Sequence, residues 1–169
     1  LPTVSEIPFA ALDYFSKALF FAHGRHRHSI TKSHLLNARH AYYAMISYLD
    51  EKLGQMLDQL DETGLRDDTI VIFTSDHGEM MGERGMWFKQ CFWEWSARVP
   101  LVISDGRAAK NIRIDANTSL IDLLPTFNDF GGQNSALLGS AVAELAGHSL
   151  MPLLTGDAST AADCVIADY

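Results

Sequence analysis

From Thr31 onward the apolar residues keep a helical rhythm. Leu35, Leu36, Ala38, Tyr42, Met45, Ile46, Leu49, Leu53, Met56, Leu57 and Leu60 recur at i, i+3, i+4, i+7 spacing. This stripe predicts one long helix over about 33–62, with Ser33 as its cap and Gly64 as its stop. Asp67-Asp68 then turns the chain into Thr69-Ile70-Val71-Ile72-Phe73-Thr74. A continuous, mainly β-branched run of this kind predicts a strand buried on both faces. A polar loop punctuated by glycines runs to about residue 97, and Val99-Pro100-Leu101-Val102-Ile103 predicts a second buried strand. Residues 119–130 predict a second helix, with Ile121, Leu124 and Phe127 on one face and Pro125 bending it. A short apolar stretch over 145–154 ends at Thr155-Gly156, and Cys164-Val165-Ile166-Ala167 predicts a third strand. Upstream, Phe9, Leu12, Phe15, Leu19 and Phe20 keep helical spacing until Gly24 breaks it. The small, polar residues 131–143 read as a surface insertion.

Helix, strand, loop, strand, helix is the grammar of an α/β sandwich with a largely parallel sheet. Composition agrees with a packed protein: of 169 residues, 47% are hydrophobic and 20% charged. The formal net charge of −8 argues against a nucleic-acid partner, which would need a basic face for phosphates. No apolar run approaches the ~20 residues that span a bilayer, so no membrane partner is expected. Cys91 and Cys164 match no C-x-x-C pattern. They suit two buried free thiols in a cytoplasmic protein better than a single disulfide, which stays open. Leu1-Pro2-Thr3-Val4 has no initiator Met and no charged leader, and reads as the middle of something longer.

The candidate chemistry sits where the first strand runs out, because ligands of open α/β sheets bind at the carboxyl ends of strands. Asp76 and His77 offer a carboxylate oxygen and an imidazole nitrogen side by side, both good ligands for a divalent cation. Gly78 permits the sharp turn that lets the two side chains converge. Taken alone, Ser75-Asp76-His77-Gly78 fits equally a turn in which Asp76 caps backbone amides and His77 is exposed.

The wider context favours the ligand reading. Ser75-Asp76-His77-Gly78, then Gly82-Glu83-Arg84-Gly85-Met86-Trp87-Phe88-Lys89, then Ser96-Ala97-Arg98-Val99-Pro100-Leu101 follow in order. They closely resemble the C-terminal signature of the sulfatases in the alkaline-phosphatase superfamily, above all the choline sulfatases. The segment 41–54 is similar to that family's long helix. Asp122-Leu123-Leu124-Pro125-Thr126 is similar to its D-x-x-P-T element, and Ser149-Leu150-Met151-Pro152-Leu153-Leu154-Thr155-Gly156 to its S-L-x-P-L-L-x-G element.

The resemblance implies the sulfatase/alkaline-phosphatase-like sandwich, present here as a partial domain, with residues 1–169 the C-terminal part of the catalytic domain. It implies that Asp76 and His77 are metal ligands, for calcium first and magnesium or manganese otherwise. It implies that Lys89 contacts the sulfate ester and stabilises charge there. Arg98 is expected to brace the loop through a carboxylate, and Glu79, Glu83 and Arg84 to order it by ion pairs, with Glu79 also able to orient His77. The aromatic residues Trp87, Phe88, Phe92, Trp93 and Trp95 are expected to pack the loop, with one ring facing a quaternary ammonium as the alternative. His23, His26 and His28 are expected to be solvated, since Arg25 and Arg27 oppose a cation.

The family's nucleophile element, C/S-x-P-S/A-R, is not found here, and Cys91 does not match it. Formylglycine and the other metal pair are therefore expected outside this chain, which alone is expected to be inactive. The activity implied is hydrolysis of a small sulfate ester, choline O-sulfate foremost, by a homo-oligomeric full-length enzyme. A phosphonate or phosphate ester hydrolase of the same superfamily, or a non-catalytic truncated scaffold, are the alternatives.

Overall fold

The computed structural model describes residues 1–105, 111–132 and 145–156, and the chain divides into two units, 1–103 and 104–168. In the first unit Asp13 opens helix α1, Tyr14–Ala22, by accepting the Ser16 N–H at 2.9 Å. Helix α2 follows over Lys32–Glu62. Its cap is Thr31 rather than the expected Ser33: Thr31 accepts the His34 N–H at 3.2 Å, and His34 Nδ1 faces Thr31 N in return at 3.4 Å. Gly64, with φ of 70°, ends the helix as expected.

Strand β1, Val71–Thr74, and strand β2, Leu101–Ser104, form a two-stranded antiparallel sheet. The largely parallel sheet expected from the element order is not what these two strands make. Their connection leaves and re-enters at one end of the sheet, where Gly78 N–H donates to the Ser96 carbonyl at 2.8 Å. A short helix α3, Glu94–Ala97, precedes β2.

The expected core is displaced. Neither strand is buried on both faces, for Phe73 and Val102 are exposed, and α2 buries no residue at all. Leu36, Met45, Ile46 and Leu49 of its apolar stripe stand open. The buried hydrophobic cluster is Leu12 and Leu19, together with Met80, Met86 and Cys91 from the β1–β2 connection. The core of this unit is therefore α1 packed on that loop. Despite its length, α2 carries too many charges to cross a membrane, and no helix among the described residues is long and apolar enough to do so.

Within the second unit a 3₁₀ turn, Leu120–Asp122, leads into helix α4, Leu123–Phe130. Pro125 falls in the first turn of α4, where its missing N–H costs little. Ile121, Leu124 and Phe127 are exposed, and Pro125 and Thr126 are buried instead. Asp122 accepts the Ser119 N–H at 2.8 Å and the His148 N–H at 2.9 Å. Thr126 Oγ1 donates to the Asp122 carbonyl and accepts the Leu150 N–H at 2.8 Å. The D-x-x-P-T element thus fastens the chain just before helix α5, Met151–Leu154. The third strand over 164–167 and most of the expected insertion over 131–143 lie outside the described residues.

The loop between β1 and β2 is pinned by Glu83, which is only 2% exposed. Its carboxylate accepts the Thr3 N–H at 2.9 Å, the Thr3 hydroxyl at 3.0 Å and the Val4 N–H at 2.9 Å, and pairs with Arg39 of α2 at 3.2 Å. Burial alone would raise the Glu83 carboxyl, but these hydrogen bonds outweigh it and hold it below the ordinary carboxylate value. Glu83→Gln should therefore destabilise the full-length protein by about 3–5 kcal/mol at neutral pH, because a buried ion pair loses one partner. A carboxyl with a depressed folded value contributes its full stability above its unfolded value, about 4.3. That contribution is lost as pH falls through the lower folded value. Melting temperatures of both proteins measured down the acid range should converge there, whereas a gap that persists or grows would contradict this role.

Candidate metal and anion site

Residues 75–78 follow the last residue of β1 and form a tight turn made of their own side chains. The Ser75 hydroxyl donates to the His77 carbonyl at 3.0 Å, and Asp76 Oδ1 accepts the His77 N–H at 2.9 Å. The second carboxylate oxygen, Oδ2, lies 3.3 Å from His77 Nε2. Desolvation acts to raise the Asp76 carboxyl, but the His77 N–H, the imidazole and the Ser75 hydroxyl together hold it below the ordinary value. Gly78 has no positive φ; glycine is needed there because a Cβ would stand 2.0 Å from the Trp95 carbonyl oxygen. Close approach of two backbones, rather than a sharp turn, explains this glycine.

The loop then returns to the turn. Glu79 Oε1 accepts the Phe88 N–H at 2.7 Å and the Met81 N–H at 3.2 Å. Met80 N–H donates to the Phe88 carbonyl at 2.8 Å. Met81, Arg84, Phe88 and Gln90 all have φ between 45° and 70°, a region that non-glycine residues enter only when held there. At the end of this path Lys89 Nζ lies 2.7 Å from His77 Nε2. An ammonium can only donate, so Nε2 accepts, and the imidazole proton sits on Nδ1, which faces the Gly78 carbonyl at 2.9 Å.

Asp76, His77 and Lys89 are thus brought together. Asp76 is largely exposed and His77 partly so. The imidazole lone pair faces the ammonium at 2.7 Å, and the Asp76 carboxylate oxygen stands 3.3 Å from the same nitrogen, so both donors would face one cation once the ammonium withdraws. Two converging lone-pair donors with the tautomer already set suit a divalent cation. Among the described residues no group of three or more His, Cys, Asp or Glu side chains is placed to hold a metal, so further ligands would have to come from elsewhere.

Other expectations fare differently. Arg98 pairs with a carboxylate, that of Glu94 one turn away on α3, but at 3.8 Å and with both side chains exposed the pair braces the loop little. Glu79 faces backbone amides of its own loop rather than orienting His77. Arg84 lies over the Trp93 ring, 3.9 Å from its centroid, so aromatic packing here serves a guanidinium of the loop itself. Cys91 is free and buried, as expected; Cys164 lies outside the described residues. His23 is not simply solvated. Its Nε2 lies 2.8 Å from Gln90 Oε1 and its ring 5.1 Å from that of Phe88. Glu83 meets Arg39, Val4 and Thr3 across 44, 79 and 80 residues and His23 meets Gln90 across 67, and no local pattern reveals these pairings.

Comparison with known proteins agrees with the motifs. The Sulfatase family model matches residues 8–132. The choline-sulfatase of Rhizobium meliloti (strain 1021) is 39% identical over 155 residues, covering 92% of this chain and 30% of that protein. The arylsulfatase K of Xenopus laevis is 35% identical over 129 residues, covering 76% of this chain and 23% of that protein. Among solved structures, the phosphonate monoester hydrolase of Silicibacter pomeroyi superposes with a TM-score of 0.80 at 30% identity, covering 95% of this chain and 33% of that one. The chain thus spans about a third or less of the length of these relatives.

The close approach at Gly78 has a direct test. In Gly78→Ala the new methyl meets backbone, which cannot swing aside as a side chain can. Overpacking of this kind typically costs about 1–3 kcal/mol. The urea midpoint of the full-length protein should fall accordingly, and a midpoint equal to wild type would contradict the packing of residues 78 and 95.

Proposed function

Since the chain belongs to the sulfatase family, we propose that it is the C-terminal part of a sulfuric ester hydrolase acting on choline O-sulfate. Asp76 and His77 supply half the ligands of a divalent cation, calcium in this reading, with magnesium or manganese as substitutes. Bound there, the cation supplies positive charge against the ester's oxygens. Lys89 holds the same anion from the other side, a compact ammonium facing the charge that builds during cleavage. The nucleophile, formylglycine in this reading, comes from outside this chain, which is inactive without it. The full-length enzyme is a cytoplasmic homo-oligomer. The observation that carries the reading is the 2.7 Å contact between Lys89 Nζ and His77 Nε2, which sets an exposed cationic side chain beside the adjacent Asp76–His77 pair. The match in sequence to a choline-sulfatase supports the substrate.

A second reading, hydrolysis of phosphonate or phosphate esters, draws support from the structural similarity to a phosphonate monoester hydrolase over 95% of this chain. Steady-state turnover of choline O-sulfate against a phenylphosphonate monoester separates the two; faster cleavage of the phosphonate would favour the second. On the better substrate, Lys89→Ala should lower kcat about 10²–10³-fold, the loss typical of one donor to a developing negative charge. Metal content and melting temperature should hold, because an exposed loop lysine contributes little to folding. Lys89→Arg should restore only part of the rate, since a planar fork does not replace a point charge. Near-wild-type kcat/KM in the alanine variant would make Lys89 an ordinary loop residue.

A further inference from the structure

Both ring nitrogens of His77 are already engaged, Nδ1 by the Gly78 carbonyl and Nε2 by Lys89. Glu79, two residues further along, turns the other way. Its Oε1 accepts the Phe88 N–H at 2.7 Å, within the range of a charge-assisted hydrogen bond. The Phe88 carbonyl accepts the Met80 N–H at 2.8 Å. The peptide groups on either side of Phe88 are therefore both held, and Lys89 is the next residue. Phe88 and Gln90, which flank it, have φ of 66° and 70°, a backbone shape that large L residues keep only under constraint. On the far side His23 Nε2 meets Gln90 Oε1 at 2.8 Å.

We infer that Glu79 is a positioning residue for Lys89: by holding the Phe88 N–H it fixes the strained backbone from which the ammonium reaches the edge of His77. The inference rests on the proposed function, because it matters only if Lys89 meets the ester. An acceptor is required and proton transfer is not, so glutamine at this position keeps the function while shorter side chains lose it.

Glu79→Ala, Glu79→Gln, Glu79→Asp, Lys89→Ala and the double variant Glu79→Ala/Lys89→Ala test this in the full-length protein. The readouts are kcat and KM for choline O-sulfate, metal content and melting temperature. Glu79→Ala should lower kcat about 10–10²-fold, as expected for a reacting group misplaced by about 1 Å. Glu79→Gln should stay within about fivefold of wild type, because its carbonyl oxygen has the same reach. Aspartate is one methylene shorter and should behave as alanine does. In the double variant, losing Glu79 should add less than about twofold to the Lys89→Ala loss, since a residue acting through Lys89 has nothing left to position. Full multiplication of the two single losses, or glutamine as poor as alanine, would overturn the inference. A slow Lys89→Ala beside a fast Glu79→Ala would overturn it alone, while a fast Lys89→Ala would remove the proposed function with it. Should Glu79→Ala fail to fold, the glutamine and aspartate variants still decide the matter by their difference.

Discussion

The candidate site depends on a carboxylate that never touches it. Glu83 is buried with four donors around it: two backbone N–H groups, a hydroxyl and the Arg39 guanidinium. A buried charge is expensive unless paired and hydrogen-bonded, and here it is both. These bonds join the N-terminal segment, α2 and the loop between β1 and β2 at one point. Arg39 adds a second tie by donating to the Met81 carbonyl at 2.9 Å. On either side of Glu83 the loop buries Met80 and Met86 against α1. A loop anchored at its middle in this way tolerates the left-handed backbone of Met81, Arg84, Phe88 and Gln90, each of which costs of order 1 kcal/mol or more.

Anchoring gives the loop an unusual place in the fold. It supplies most of the core of its unit, while the long helix and the sheet expose the apolar faces that the sequence pattern marks as inward. The chain spans about a third or less of the relatives it matches, and 92% of it aligns with a choline-sulfatase. In the second unit, Asp122 and Thr126 of the D-x-x-P-T element hold the backbone at His148, just before the second motif, and at Leu150 within it, so these two motifs record a fastening of one to the other.

Patterns with a short physical range were legible in the sequence. The stripe from Leu35 to Leu60 located α2 to within a residue or two, because helical periodicity is a local property. Strand β1 lies inside the apolar run assigned to it, β2 overruns its own by one residue at Ser104, and Gly64 ends its helix as expected. The motif run brought Asp76, His77 and Lys89 into one argument, and the structure sets them side by side. Pairings across distance were not legible. The sequence marks Glu83 as an ion-pair residue of its loop, but Arg39 lies 44 residues away. His23 looked solvated because its partners, Phe88 and Gln90, belong to a loop whose path no periodicity describes. Burial failed for a related reason: an apolar face states which side wants covering, and not what covers it.

The central claim is that Asp76, His77 and Lys89 form one anion-binding edge at the end of β1. A crystal structure of the full-length protein with its divalent cation and inorganic sulfate tests it most directly. The account predicts an Asp76 oxygen and His77 Nε2 at about 2.0–2.6 Å from the cation. Lys89 Nζ, released from His77, should lie within about 2.7–3.2 Å of a sulfate oxygen. A cation bound elsewhere, or Lys89 turned away from a sulfate that the other two residues face, would contradict it.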